Sequence, residues 1–142
     1  VLLAACMEHP PDFVVADCPY ADLTEEAAYD LHALFRLPPW PFIPLASLLM
    51  RACGGFFFSA VSPLGEIRAR GGLPEVPILF VHGTEDALIP CSASEKLYAA
   101  KSGKKALLLV KGAGHARSIV CARAEYAETL YAFLDAFAGG PA

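Results

Sequence analysis

His115 is the residue whose type and setting most clearly suggest chemistry. It lies among small residues, between Gly112 and Ser118, directly after the apolar run Ala106 to Val110, and nothing around it needs an imidazole for packing. An imidazole can take a proton from an alcohol nucleophile near neutral pH and later return it to the leaving group. That chemistry also requires a nucleophile within reach and a carboxylate that holds the other ring nitrogen.

Three carboxylates are candidates for the partner of His115. Asp17 ends one apolar run, and Glu85 and Asp86 follow another. Almost continuously apolar runs of this length are typical of strands buried on both faces of a parallel sheet. Because the carboxyl ends of such strands meet at one edge, we expect Asp86, or alternatively Asp17, to lie near His115. Glu85 is expected to be solvated.

The elements that must position these residues alternate between strands and helices. Strands are predicted at Phe13 to Cys18, Val76 to Gly83 and Lys105 to Val110. Helices are predicted at Thr24 to Arg36, Leu45 to Cys53, a short stretch from Ser62-Pro63, Cys91 to Gly103 and Ala124 to Phe137. The order indicates an α/β fold with a parallel sheet and right-handed crossovers.

Local signals refine these helices. Thr24 is predicted to cap the first of them, and Gly54-Gly55 to end the second. Residues 37–44, LPPWPFIP, are predicted to be irregular because prolines disrupt regular structure. The apolar segment 1–9 is predicted to be the interior of a helix whose start is missing. The closing helix is expected to pack an apolar stripe made of Tyr126, Leu130, Phe133, Leu134 and Phe137.

Two segments, VPILFVHGTEDALIP (76–90) and LLLVKGAGHARS (107–118), together resemble the C-terminal half of the α/β-hydrolase family. In that family the triad acid lies in H-G-x-x-D-x-x-x-P and the histidine in G-x-G-H, in that order. The resemblance implies that Asp86 is the triad acid and His115 the base of a serine hydrolase. It further implies cleavage of carboxylic esters through an acyl-enzyme, with no cofactor and no metal. VVADCPYADL (14–23) also resembles the strand and loop that precede the lid in bacterial members.

The nucleophile of that family is absent from the sequence. It lies in G-x-S-x-G, and none of the serines here stands between glycines in that pattern. We therefore expect the nucleophilic serine upstream of Val1, and we expect the 142-residue chain alone to be inactive. The alternatives are a peptidase or amidase of the same fold, similar to prolyl oligopeptidases, and a truncated, non-catalytic binding module.

Length and composition set the domain organisation. The 142 residues are enough for one domain, and the resemblance implies a partial α/β-hydrolase domain, with a lid-like helical insertion at 24–72 and a βαβα segment at 73–142 that carries the acid and the histidine. In the insertion, the aromatic residues at 40, 42 and 56–58 either line an acyl pocket or form plain core. A half-sheet exposes an unpaired edge through which the chain is expected to self-associate; a monodisperse monomer would favour the binding module.

Composition also limits location and partners. The longest apolar stretch, 37–50, is interrupted by prolines, so no membrane span is expected, and no signal peptide is visible. The five cysteines, odd in number and without C-x-x-C, indicate free, mostly packed thiols in a reducing, cytoplasmic protein. A net charge of −4 disfavours nucleic acid, so the expected partner is a small ester or amide substrate. Without G-x-G-x-x-G, a nucleotide site is also disfavoured.

Overall fold

A parallel three-stranded sheet organises the computed structural model, which describes residues 10–138. The strands are β1 (Val14–Asp17), β2 (Ile78–Gly83) and β3 (Lys105–Val110), in the spatial order β1-β2-β3. Asp17 of β1 pairs with Val81 of β2, and Gly83 of β2 pairs with Val110 of β3. The predicted parallel sheet is confirmed, although β1 and β2 are shorter than the apolar runs that contain them.

Six helices surround the sheet in the described part of the chain. They are α1 (Leu23–Phe35), α2 (Pro39–Gly54), α3 (Pro63–Ala69), α4 (Ser92–Ala100), α5 (Ser118–Cys121) and α6 (Arg123–Ala138), with a 3₁₀ turn at Phe58–Ala60. The first three, together with the 3₁₀ turn, lie between β1 and β2 in the sequence. The four-residue α5 is too short for its periodicity to be recognised, and sequence analysis missed it.

The core lies on both faces of β2, all of whose residues are buried. Successive strand side chains point to opposite faces. Ile78 and Phe80 accordingly pack with residues of α3 and α4, whereas Leu79 and Val81 pack with Leu108 and with α6. The predicted stripe of α6 is confirmed where it is described: Phe133 is buried, and Tyr126 and Leu130 pack against the same cluster.

The start of α1 differs from the prediction that Thr24 caps it. The cap is Asp22, whose carboxylate accepts hydrogen bonds from the backbone N–H groups of Thr24 and Glu25. Burial alone would raise the pKa of Asp22, but hydrogen bonds, the strongest from Ser62, hold the pKa below its ordinary value. An ionised aspartate is a stronger acceptor than the threonine hydroxyl two residues later.

The prediction that residues 37–44 are irregular is wrong for most of the segment. Helix α2 begins at Pro39, has extended backbone at Trp40, and then continues through Pro41 and Pro44 to Gly54. Both of these prolines lie in the first turns after that interruption, where a helix needs few backbone N–H donors and proline is tolerated. The predicted end is confirmed, since Gly55 adopts a left-handed conformation as the C-cap.

The expectation of mostly packed thiols is also wrong among the described cysteines. Cys18 is buried, Cys91 is half-buried, and Cys53 and Cys121 are exposed. The two exposed cysteines lie at the ends of α2 and α5, where the helices face away from the core. The predicted helix at 1–9, Cys6 and the side chain of Phe137 lie outside the described residues.

Gly83, the last residue of β2, allows the loop after β3 to approach the sheet closely. A Cβ atom at this position would lie 2.7 Å from the carbonyl carbon of Ala113 and closer still to its oxygen. No side chain fits between these two backbones. The glycine at the end of β2 is therefore required for the close approach of the histidine loop to the sheet.

We predict that Gly83→Ala lowers the free energy of unfolding by about 1–3 kcal/mol, because the methyl group forces the two backbones apart. Chemical denaturation measures the change. Gly114→Ala is the matched control, since a Cβ there meets nothing nearer than the Glu85 carbonyl oxygen at 3.9 Å. The explanation is refuted if both variants have the same stability as the wild type.

Candidate functional site

Two loops meet at the carboxyl edge of the sheet. The acid loop, residues 84–90, follows β2, and the histidine loop, residues 111–117, follows β3. Backbone N–H groups of Thr84 and Glu85 donate to the carbonyls of Val110 and Ala113, both at 3.0 Å. The N–H of Gly112 donates to the Thr84 hydroxyl at 2.9 Å. These bonds hold the two loops against each other without a charged side chain.

Asp86 is the buried acid of this edge. Its Oδ1 accepts hydrogen bonds from the backbone N–H groups of Leu88 and Ile89, each at 3.0 Å, which folds the acid loop back on itself. Its Oδ2 lies 2.8 Å from Nδ1 of His115. Burial raises the pKa of Asp86, but the hydrogen bonds to it, chiefly from Ile89 and His115, outweigh burial and hold the pKa below its ordinary value.

His115 faces Asp86 with one nitrogen and retains access to solvent. Its side chain is 36% exposed, whereas the Asp86 side chain is fully buried. Because an ionised carboxylate can only accept, Nδ1 of His115 is the donor in their hydrogen bond. In the neutral ring, Nε2 then bears the lone pair. An imidazole oriented in this way can act as a general base through Nε2.

The structure brings together Asp86 and His115 and places the other candidate acids elsewhere. Asp17 is exposed at the end of β1, where its carboxylate accepts a hydrogen bond from the Cys18 thiol at 3.3 Å. Glu85 is exposed, as expected. In the described part of the chain, no serine hydroxyl is hydrogen-bonded to His115.

Cys18, the residue directly after β1, touches this site. Its sulfur accepts a hydrogen bond from the N–H of Ala116 at 3.3 Å, which holds the residue that follows His115. The pKa of Cys18 is raised to about 11, chiefly by burial and also by hydrogen bonds to Asp17 and Asp86, against backbone donors that lower it. The neutral thiol is therefore a packing and hydrogen-bonding group.

His82 is buried at the end of β2, and its ring bonds the backbone. Nε2 lies 2.9 Å from the carbonyl oxygen of Ile89, and Nδ1 lies 2.7 Å from the Ser94 hydroxyl. Sequence analysis missed Ser94, because a serine in the first turn of a helix carries no sign of a partner twelve residues earlier. It also missed that Nε2 lies 3.3 Å from Oδ2 of Asp86.

Cys18, His82 and Asp86 offer one sulfur, one nitrogen and one oxygen atom within 4.8 Å of one another, a donor set that could suit zinc. Binding would require a thiolate and a free imidazole lone pair. However, burial disfavours the thiolate, and both nitrogens of His82 already have hydrogen-bond partners. The contacts of these three residues thus favour a hydrogen-bonding role over metal ligation.

Glu26 of α1 is a second carboxyl group that sequence analysis did not single out. Its pKa is raised to about 7, mainly by burial and also by the charges of Asp30 and Asp86, against a lowering effect of His115. Its Oε1 is buried and, among the described residues, has no hydrogen-bond partner. The four-residue spacing of Asp22, Glu26 and Asp30 could have indicated this acidic face of α1.

An apolar groove of about 530 Å³ lies between α1 and α2. Leu31 and Phe35 of α1, Phe42 and Leu49 of α2, and Phe58 are among the residues that line it. Of the five aromatic residues considered from sequence, Phe42 and Phe58 thus line this groove. Trp40 is 74% exposed, and Phe57 lies under the Arg51 guanidinium at 5.9 Å. The five aromatic residues therefore do not share one role: neither the lining of one acyl pocket nor membership in the core describes all of them.

The described range 10–138 contains six α-helices. None of them is both long enough and apolar enough to cross a bilayer.

Comparison with known proteins gives one family and several relatives. The model of the TAP-like protein family, an α/β-hydrolase family, matches residues 43–134. The uncharacterized protein YqkD of Bacillus subtilis is 42% identical over 124 residues, which are 87% of this chain and 39% of that protein. An uncharacterized protein of Mycobacterium tuberculosis is 26% identical over 81% of this chain and 34% of its own length. The chain thus spans less than half of these relatives.

Solved structures share the fold at low sequence identity. An esterase of Pyrococcus furiosus superposes with a TM-score of 0.64 at 19% identity, over 97% of this chain and 49% of its own. A puromycin-hydrolyzing peptidase of Mycobacterium tuberculosis reaches 0.70 at 19% identity, over 99% of this chain and 20% of its own. With its three parallel strands alternating with helices and its match to the family model over most of its length, the chain belongs to the TAP-like family of α/β-hydrolases.

Proposed function

We propose that this chain supplies the acid and the base of a serine hydrolase that cleaves carboxylic esters through an acyl-enzyme. The observation that carries the proposal is the 2.8 Å hydrogen bond between Nδ1 of His115 and Oδ2 of the buried Asp86. This bond leaves Nε2 of a part-exposed ring as the proton acceptor, which is what activation of an alcohol nucleophile requires.

The nucleophile in this proposal is a serine of a G-x-S-x-G turn that precedes Val1 in a longer protein. The sequence contains no such turn, and the chain covers 39% of the length of YqkD. The backbone N–H groups that stabilise the oxyanion would come from the same upstream part, since one of them follows the nucleophile directly.

The reaction follows from the two residues present. Nε2 of His115 takes the proton of the serine hydroxyl as its oxygen attacks the ester carbonyl, and Asp86 stabilises the imidazolium that forms. His115 then gives the proton to the departing alcohol. Water, deprotonated by the same nitrogen, attacks the acyl-enzyme and releases the acid and the free serine. Asp86 stays ionised throughout, in keeping with the lowered pKa of its carboxyl group.

The segment 24–72 would act as a lid-like insertion in this enzyme, and residues 73–142 as the part that carries acid and histidine. Support comes from the apolar groove between α1 and α2, which is large enough for an acyl or aromatic group. Glu26 also links α1 electrostatically to the acid–base pair. An apolar substrate is therefore expected.

An amide or peptide substrate is the alternative, since the same acid–base pair serves either leaving group. The likeness in fold to the puromycin-hydrolyzing peptidase keeps this alternative open. A non-catalytic binding module is the remaining candidate, and labelling by a serine-directed reagent separates it from both enzymes.

We predict that a serine-directed phosphonate labels the longer protein covalently and does not label the 142-residue chain. The reagent requires a serine activated by His115, which the chain alone does not offer. Mass spectrometry of both proteins locates the adduct. Stoichiometric labelling of the short chain would refute the upstream nucleophile, and an unlabelled longer protein would favour the binding module.

We predict that His115→Ala in the longer protein abolishes measurable turnover of a p-nitrophenyl ester, because the substitution removes the imidazole that takes the serine proton in the proposed mechanism. Steady-state kinetics provide the measurement. His32→Ala is the control, since His32 is exposed on α1 and should leave the rate unchanged. Turnover near the wild-type rate in His115→Ala would reject its assignment as the base.

We predict that Asp86→Asn lowers kcat by about 10⁴-fold, because an amide can present its N–H to Nδ1 of His115 and favour the wrong tautomer. Asp17→Asn tests the alternative acid and should have little effect, since Asp17 bonds Cys18 instead. If the large loss appears in the Asp17 variant and not in the Asp86 variant, the roles of the two carboxylates must be exchanged.

A further inference from the structure

His82 holds a defined proton on Nε2. The ring is fully buried, and Nε2 lies 2.9 Å from the carbonyl oxygen of Ile89. A carbonyl oxygen can only accept, so Nε2 must be the donor of this bond. At the other nitrogen, the Ser94 hydroxyl at 2.7 Å can donate or accept, and it satisfies Nδ1 in either case.

Ile89 connects this histidine to the acid. Its N–H donates to Oδ1 of Asp86 at 3.0 Å, while its carbonyl oxygen accepts from Nε2 of His82. The backbone of one residue is thus held by both side chains. Oδ2 of Asp86, the oxygen that faces His115, lies 3.3 Å from the same Nε2. Two imidazoles therefore flank a single carboxylate oxygen, one exposed and one buried.

We propose that His82 is a positioning residue for the acid of the site. Its N–H fixes the turn of the acid loop through Ile89 and faces Oδ2 of Asp86, so that the carboxylate stays aimed at His115. The Ser94 hydroxyl anchors the His82 ring to α4, so that a helix supports the acid loop. This role rests on the proposed function of Asp86 and His115, and His82 itself touches no substrate.

Packing alone does not account for a histidine at this position. The neighbouring strand residues Phe80 and Val81 fill the core with apolar side chains, and a leucine could occupy a similar volume. A buried imidazole loses its hydration and is tolerated only when both nitrogens are hydrogen-bonded. Both are bonded here, and one of the partners is the residue that holds Asp86.

The kinetic test uses the longer protein and compares two substitutions at this position. His82→Leu removes the donor and should lower kcat about 10- to 100-fold, the range expected when a catalytic group is displaced by a fraction of an ångström to one ångström. KM should stay unchanged, because no substrate contact is lost. His82→Gln keeps an N–H near the position of Nε2 and should recover most of kcat.

The matched control is His32→Leu, the same substitution at an exposed histidine, which should behave as the wild type. Wild-type kcat in His82→Leu would overturn the proposal. So would equal losses in His82→Leu and His82→Gln when both melt at the wild-type temperature, because the hydrogen-bond donor would then be irrelevant.

A measurement on the unsubstituted protein keeps the test decisive if His82→Leu does not fold. Histidine ¹⁵N NMR of the longer protein shows directly which ring nitrogens carry protons. A proton on Nε2 of His82 is expected, and an Nε2 without one would overturn the proposal. Failure of the proposed function is a separate result: a wild type that resists phosphonate and cleaves no ester or amide refutes the hydrolase, whereas the ¹⁵N spectrum still decides the hydrogen bond to Ile89.

Discussion

The parallel pairing of β2 with β3 is the constraint on which the site depends. Gly83 pairs with Val110, so the acid loop and the histidine loop leave the sheet at the same level and on the same edge. Backbone bonds then join the two loops, and the glycine at the end of β2 lets them meet without an intervening side chain. Two residues far apart in sequence come within 2.8 Å because strand register and loop contacts leave little freedom.

Burying an ionised carboxylate destabilises the folded state unless hydrogen-bond donors surround it, and such donors surround Asp86. Backbone N–H groups occupy Oδ1, and His115 occupies Oδ2. The pKa of Asp86 is consequently below its ordinary value despite burial. The stability that the ionised carboxylate adds to the fold is therefore present above the pKa of Asp86 in the unfolded chain. It is lost as pH falls through the pKa of Asp86 in the folded chain. The ionisation of Asp86 is thus coupled to the conformation of the acid loop.

The sheet and the pair at its edge were predictable because their signals are local and strong. Apolar runs bounded by glycines gave β2 and β3, and the motifs that resemble α/β-hydrolases gave Asp86 and His115. Predictions were wrong where a tertiary contact, or the exact position of a residue within a helix, decides the local structure. Asp22 rather than Thr24 caps α1, and prolines that suggest irregular structure lie in the first turns of α2. Such choices depend on neighbours that no local pattern contains.

Contacts at long range likewise explain what sequence analysis missed at the site. Ser94 and Glu26 come from α4 and α1, and neither lies in a motif. Their roles depend on how closely each helix approaches the carboxyl edge. A histidine at the end of a buried strand can be predicted to bond backbone, since few other partners are available there. The identity of that backbone group, and its link to Asp86, requires coordinates.

The helices α1 and α2, which lie between β1 and β2 in the sequence, are much less buried than the central strand of the sheet. Helix α1 buries no residue fully and α2 buries Ile43, whereas every residue of β2 is buried. Large apolar side chains of α1 and α2 remain in contact with solvent around the groove. Glu26 joins the two regions, because its pKa depends on the charges of Asp86 and His115. One wall of the groove is therefore a helix whose partly buried Glu26 carboxyl interacts electrostatically with the acid–base pair.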